Sequence, residues 1–146
     1  MNRDSAMMRL FTEQHAEILQ ILRELQSKAA SDVQAHYKDI ARLLIKLRFK
    51  VKLHLASEDK ILFPVIRNEG NCPESALLAG YEAEMQGLAG VFLEFIHRWE
   101  YAEQILERSG ESLKEATGAI DALTRRIARE EQELYPAIAR LEQKFL

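Results

Sequence analysis

Helix-breaking residues are scarce in this chain, and their scarcity limits the folds that it can adopt. Its 146 residues include only 3 Pro and 6 Gly, and no segment shows the strict apolar/polar alternation of a half-buried strand. The breakers divide the chain into four segments, at roughly residues 5–29, 32–68, 73–109 and 111–144. We therefore predict four long helices and an all-α fold.

Each segment carries apolar residues at alternating steps of three and four, the period of a helix that buries one face. The stripe of the first segment passes through His15, and that of the second passes through His54 and Glu58. Short connections between long amphipathic helices place neighbours antiparallel. We expect an up-down-up-down antiparallel four-helix bundle that forms a single domain over residues 1–146.

Caps and prolines indicate where the helices begin and where they are irregular. Ser5 and the dipeptide Ser31-Asp32 are candidate N-caps of the first and second helices. Pro64 and Pro136 fall inside the second and fourth helical segments. Because proline lacks a backbone N–H, we expect both helices to be kinked or locally opened there.

Composition excludes several classes of protein. The 20 Lys+Arg and 23 Asp+Glu give a net charge of −3, too even for a nucleic-acid-binding surface. The longest stretch without a charged residue, 85–93, is far shorter than the roughly 20 residues that span a membrane. Cys72 is the only cysteine, so an intrachain disulfide is excluded and a cytoplasmic location is expected.

An internal repeat relates the second helix to the fourth. Residues 54–64, HLASEDKILFP, align with residues 126–136, RIAREEQELYP. In this alignment Glu58 corresponds to Glu130, whereas His54 corresponds to Arg126. A weaker match between the first and third helices places Met85 where His15 stands. The bundle is therefore expected to consist of two related helical hairpins.

A His and a Glu four residues apart face the same way from one helix. With a second His on a neighbouring helix they form a donor set suited to iron, manganese or zinc. The motifs are His15, His54-x-x-x-Glu58 followed by Leu-Phe-Pro, and Glu130-Glu-x-x-Leu-Tyr-Pro. Together they resemble the hemerythrin-like, or HHE cation-binding, domain over nearly the whole chain.

The resemblance implies a di-iron centre used for reversible oxygen binding, oxygen or redox sensing, or iron handling. The residues that match the family pattern for one iron and its bridging carboxylates are His15, His54, Glu58 and Glu130. The positions of the histidines that hold the other iron carry Tyr81, Met85 and Arg126. One half of the centre is therefore retained and the other half is replaced.

Three arrangements remain open for these residues. In the first, one ion is bound and the permanently charged Arg126 replaces the second, with Tyr81 nearby as an extra ligand or hydrogen-bond donor. In the second, no metal is bound and Arg126 neutralises Glu58 and Glu130. In the third, two metals are bound with help from Tyr81 or Glu84. The expected cofactor is one iron ion rather than two, with zinc, manganese or no metal as alternatives.

The favoured function is that of a hemerythrin-like metal-binding protein in an iron, oxygen or redox response. Its expected partner is dioxygen or another small diatomic molecule, and no nucleic acid or membrane is expected. The alternative is a metal-free interaction or regulatory module. An enzyme, such as a metal-dependent oxidase, is less favoured because no nucleophile with its base and no phosphate-binding loop is present.

The third segment contains three glycines, at positions 80, 87 and 90, which indicate a close contact with another helix. Glycine within a helix costs about 1 kcal/mol relative to alanine, so a close contact should compensate. That contact is either with another helix of the bundle or with a second copy in a homodimer. The sequence also leaves a different protein partner open.

Overall fold

The structure, a computed structural model, describes residues 3–64 and 74–143. The first helical stretch, Arg3–Ser57, is broken at Asp32, where φ is −169° and ψ is 105°. We call residues 3–31 helix α1 and residues 32–57 helix α2. The later α-helices are α3 (Glu74–Trp99), α4 (Ala102–Glu107), α5 (Ser109–Arg129) and α6 (Tyr135–Gln143).

Four long helical units form the antiparallel bundle, with α5 and α6 together providing the fourth. No strand occurs in the described ranges, so the prediction of an all-α fold is confirmed. Neither does any helix in these ranges have the length and hydropathy to cross a membrane. The predicted break between the second and third segments, at residues 69–72, lies outside the described residues.

Helix ends follow the sequence signals in part. Asp32 caps α2, because its Oδ1 accepts the backbone N–H groups of Gln34 at 3.0 Å and Ala35 at 3.3 Å. The prediction that Ser5 caps the first helix is wrong, since α1 already includes Arg3 and no helix-breaking residue lies between Arg3 and Ser5.

Helix α3 ends at Trp99 rather than near residue 109, because tertiary contacts redirect the chain. The indole N–H of Trp99 donates to Glu115, and Arg48 donates to the carboxylate of Glu100. Tyr101 is then extended, with φ −95° and ψ 122°. The redirected chain brings Ile105 of α4 fully into the core.

Both prolines lie just after a π-helical turn, which confirms the expected local opening. The turns are Glu58–Leu62 and Glu130–Leu134. In each, a backbone N–H reaches a carbonyl five residues earlier, from Phe63 to Glu58 and from Tyr135 to Glu130. The wider turn rotates the following residues by about one position. Ile61, which continues the apolar stripe of the second segment, is therefore 41% exposed, and Leu62 is buried.

The core consists of two apolar clusters arranged along the bundle. The large cluster includes Ile18, Leu22, Leu44, Leu47, Val51, Ile96 and Ile127. The small cluster includes Phe11, Leu62, Phe63, Leu78, Leu134, Tyr135 and Ile138. On each contributing helix the polar residues of interest lie between members of the two clusters, so the bundle encloses them on both sides.

The packing of the third and fourth segments departs from the sequence pattern at two places. Leu113 belongs to the apolar stripe of the fourth segment, yet it is 39% exposed, and its neighbour Ser112 is buried. A Cβ added at Gly80, Gly87 or Gly90 would meet no described atom within 4 Å. These glycines therefore make no close contact with another helix of the bundle.

Candidate metal centre

Four titratable side chains are buried together between the two apolar clusters. Their exposed fractions are 0% for His15, 4% for His54, 0% for Glu58 and 1% for Glu130. His15 comes from α1 and His54 from the end of α2, while each Glu opens one of the π-helical turns. The helical period predicted this burial, since all four occupy positions on apolar stripes.

Three of these side chains converge on one point. The Nε2 atoms of His15 and His54 lie 3.0 Å apart, and His15 Nε2 lies 2.9 Å from Glu130 Oε1. His54 Nε2 lies 3.6 Å from the same Glu130 oxygen. Together the three residues offer one nitrogen each from two imidazoles and one carboxylate oxygen to a metal ion.

The outer hydrogen bonds of the two imidazoles determine which nitrogens face this point. His15 Nδ1 lies 2.7 Å from Glu131 Oε2, and a carboxylate can only accept, so Nδ1 carries the proton. His54 Nδ1 lies 2.7 Å from Gln14 Oε1. The Gln14 amide nitrogen donates to Ser57 Oγ at 2.9 Å, which turns its oxygen towards His54. When neutral, both imidazoles therefore direct an Nε2 lone pair inwards, as metal-binding histidines do.

The donor geometry fits a metal ion. Two facing lone pairs repel each other unless a cation lies between them. With metal–ligand bonds of about 2.1 Å, neighbouring donor atoms lie about 3.0 Å apart in octahedral and about 3.4 Å apart in tetrahedral coordination. The observed separations run from 2.9 to 3.6 Å. Within the described residues, buried Glu58 Oε1 also has no hydrogen-bond partner, which leaves this oxygen available to a cation.

Glu58 lies at the edge of this group. Its Oε2 is 3.5 Å from His54 Nε2 and accepts the hydroxyl proton of Tyr135 at 3.2 Å. The Tyr135 hydroxyl is also 3.2 Å from His15 Nε2, and its ring stacks on the His15 ring. The Tyr135 hydroxyl therefore links the second carboxylate to the histidine pair.

In the absence of metal the centre holds a proton. Burial by itself lowers the pKa of His54, but hydrogen bonds to Glu130 and Glu58 outweigh it and raise that pKa to about 9. Burial also opposes ionisation of Glu130, yet hydrogen bonds from His15 and His54 lower its pKa to about 2. Burial is the main cause that raises the pKa of Glu58 and the pKa of Tyr135, whose phenol stays neutral and acts as a donor.

Arg126 turns into the bundle and is only 5% exposed. Its Nε lies 3.8 Å from Glu130 Oε2, while its terminal nitrogens donate to Glu84 Oε2 at 2.9 Å and to the Tyr81 carbonyl at 3.0 Å. No ion pair joins Arg126 to Glu58 in the described part of the chain. The expectation that Arg126 contacts both buried carboxylates is therefore wrong for Glu58, because Glu84 and the Tyr81 carbonyl draw the guanidinium away.

The Tyr81 side chain does not reach the centre. Its hydroxyl donates to Glu133 Oε2 at 2.6 Å. The guanidinium carbons of Arg126 and Arg129 lie 5.1 and 5.0 Å from the centroid of its ring. The expectation that Tyr81 supplies a ligand or donor to the metal is corrected, because this cation–π and carboxylate arrangement holds the hydroxyl elsewhere.

Met85 lines a small cavity beside the histidines. This cavity of about 20 Å³ is bounded by Val51, Phe92, His54 and Glu130, among others. Its volume suffices for one molecule of about the size of water. Met85 therefore contributes an apolar wall rather than a hydrogen-bonding group.

Three residues of the centre were given no role by the sequence analysis: Gln14, Glu131 and Tyr135. Gln14 and Glu131 each directly neighbour a candidate ligand in sequence, and Tyr135 aligns with Phe63 in the internal repeat. Neighbouring positions on a helix point about 100° apart, so the period alone does not show that these side chains reach the imidazoles. The other histidines take no part, since His97 is exposed and His36 is half-buried on the α2 segment far from His54.

Comparison with known proteins agrees with the geometry. The hemerythrin HHE cation-binding domain matches residues 6–138, which include all the residues of the centre. No curated protein and no solved structure matches the chain. Because the family match covers most of the sequence, the chain belongs to the hemerythrin HHE cation-binding domain family.

Proposed function

We propose that this protein is a single domain that binds one iron ion through His15, His54 and Glu130, and acts in an iron, oxygen or redox response. The observation that carries the proposal is the pair of Nε2 atoms 3.0 Å apart, each turned inwards by an outer hydrogen bond. Glu58, whose buried Oε1 has no hydrogen-bond partner among the described residues, would supply a fourth ligand. Zinc or manganese fits the same donors.

Arg126 supports one ion rather than two. Its guanidinium lies beside Glu130 Oε2, the oxygen that faces away from the histidine pair. A second metal bridged by Glu130 would meet a permanently charged group that cannot ligate. The carboxylate therefore serves one ion and one guanidinium.

Bound iron would supply redox chemistry or a site for a small diatomic molecule such as dioxygen. The protein's own residues shape that site. Glu131 and Gln14 orient the two imidazoles, and the Tyr135 hydroxyl donates a hydrogen bond to Glu58 at 3.2 Å. The apolar clusters exclude bulk water, and the cavity of about 20 Å³ beside Met85 has room for one molecule of about the size of water.

A metal-free module is the second candidate, and one observation favours it. The pKa of His54 near 9 means that an imidazolium could sit between Glu58 and Glu130 at neutral pH. Arg126 adds a second buried cation 3.8 Å from Glu130. The two carboxylates and two cations would then balance without metal.

Elemental analysis of the untagged protein, purified from iron-supplemented cells, distinguishes the two candidates. We expect about one metal per chain, lost in His54→Ala and retained in His97→Ala, whose side chain is 77% exposed. About two metals per chain with an oxo-bridge absorption band would contradict the role given to Arg126. Metal near zero, with unfolding indifferent to chelator, would favour the metal-free module.

A further inference from the structure

The outward face of α2 carries an apolar stripe that the bundle does not use. Ile45, Phe49 and Leu53 follow one another at steps of four and are 40%, 72% and 53% exposed. At 1.5 Å per residue they extend over about 12 Å of the helix. We call these three residues the α2 stripe. Its exposed area is on the order of 300 Å², the size at which an apolar patch on a monomer is often functional.

Lysines flank the α2 stripe without acidic partners. Lys46 and Lys52 are exposed on either side of Phe49, and neither forms an ion pair with a residue that the structure describes. Arg42 lies one turn before Lys46. Its side chain is 76% exposed and is paired with Asp39 at 3.2 Å. The face is therefore apolar along its centre and basic along its edges.

From this pattern we propose that the α2 stripe is the docking surface for an acidic amphipathic helix of another protein. Leucines or other large apolar side chains of the partner helix would cover Phe49, and the carboxylates of that helix would pair with Lys46 and Lys52. Helices recognise one another in this way through anchors spaced three or four residues apart. Opposite charges at the rim would add specificity and speed association.

A second copy of this chain fits the stripe poorly. In a two-fold antiparallel pairing centred on Phe49, residues equally far before and after it meet across the axis. Ile45 would meet Leu53 favourably, but Lys46 would face Lys52 of the other copy twice. Like charges placed opposite each other at an interface are unfavourable, so the charge pattern selects a partner with acidic residues.

An anionic membrane is also a poorer match. The chain as a whole carries a net charge of −3. Next to the stripe, Lys50 is paired with Glu17 at 2.7 Å, and Glu17 is 54% exposed on α1. A flat anionic surface would meet this carboxylate together with the lysines, whereas a narrow helix can lie along α2 without contacting it.

The test uses the full-length protein and two synthetic helical peptides. Both peptides carry leucines along one face, with glutamates on the flanks of the first and lysines on the flanks of the second. We expect the glutamate peptide to bind, as measured by fluorescence anisotropy, and the lysine peptide not to bind. Phe49→Ser, and separately Lys46→Glu with Lys52→Glu, should weaken binding at least tenfold.

Two control variants separate docking from general surface effects. Val91→Ser removes another apolar side chain, 66% exposed on α3, and Lys114→Glu reverses an exposed charge on α5. Both should leave binding unchanged. All substituted side chains are exposed, and circular dichroism should show that each variant retains its helices.

Several outcomes would overturn the proposal. Equal binding of both peptides, or no binding of either, would refute the charge argument. Binding to phosphatidylserine vesicles without binding to the acidic peptide would assign the stripe to a membrane. A dimer in sedimentation experiments that Phe49→Ser dissociates would assign it to a second copy of the chain.

Discussion

Replacing Arg126 by methionine tests the electrostatic account of the centre most directly. Methionine keeps much of the apolar volume and removes the guanidinium. The change removes the charged donor that reaches the Tyr81 carbonyl at 3.0 Å, in addition to that carbonyl's bond within α3, and it leaves Glu130 Oε2 without the cation 3.8 Å away. Both losses occur in buried surroundings, where a lost charged interaction is costly.

The expected loss of unfolding free energy is about 3 kcal/mol in the metal-free protein. A hydrogen bond from a charged group to the buried carbonyl accounts for about 1.5–3 kcal/mol of it. Loss of the buried ion pair adds to this, although His15 and His54 still compensate Glu130, so the total stays near the low end of about 3–5 kcal/mol. The bond to Glu84 adds little because that carboxylate is 56% exposed.

Urea unfolding followed by circular dichroism, with chelator present, measures this loss. With a slope of about 2 kcal/mol per M urea, the midpoint should fall by about 1.5 M. Arg129→Met is the matched control, because Arg129 shares Glu84 and the Tyr81 ring with Arg126 but is half exposed. Its effect should be clearly smaller. Equal shifts for the two variants would refute the conclusion that the buried contacts of Arg126 stabilise the fold.

Two further predictions concern metal affinity. Glu131→Gln weakens the acceptor that orients His15, so it should lower metal affinity about 10- to 100-fold, as measured by competition with a chromophoric chelator. The control variant Glu133→Gln should leave metal affinity unchanged. Equal effects of the two variants would argue against the orienting role of Glu131. A metal ion must displace the proton that His54 holds with a pKa of about 9. The apparent metal affinity should therefore rise about tenfold per pH unit between about pH 6 and 8. A metal affinity that does not change with pH would show that no such proton is displaced.

The sequence predicted the fold because helices are local structures. A period of 3.6 residues, few breakers and an Asp32 cap are read directly from neighbouring residues, and all act within a few turns. Pro64 and Pro136 likewise predicted a local opening of their helices, since a missing N–H acts within the same helix, and the structure shows a π-helical turn just before each. The burial of His15 and His54 followed from the same period.

The tertiary structure decided what depends on contacts between distant residues. The end of α3 at Trp99 reflects hydrogen bonds to Glu115 and between Arg48 and Glu100, which no local pattern encodes. The sequence could suggest that Arg126 turns inwards, but it could not supply the Tyr81 carbonyl as its acceptor.

The same division runs through the candidate centre. The sequence predicts which helices carry nitrogen and carboxylate groups and which face each group occupies, because both follow from position along one helix. The contacts of Gln14 and Glu131 with the imidazoles, and of Tyr135 with Glu58, appear only when the helices are packed. Side-chain direction depends on the partner that a neighbouring helix presents, and that partner is known only when the helices are packed.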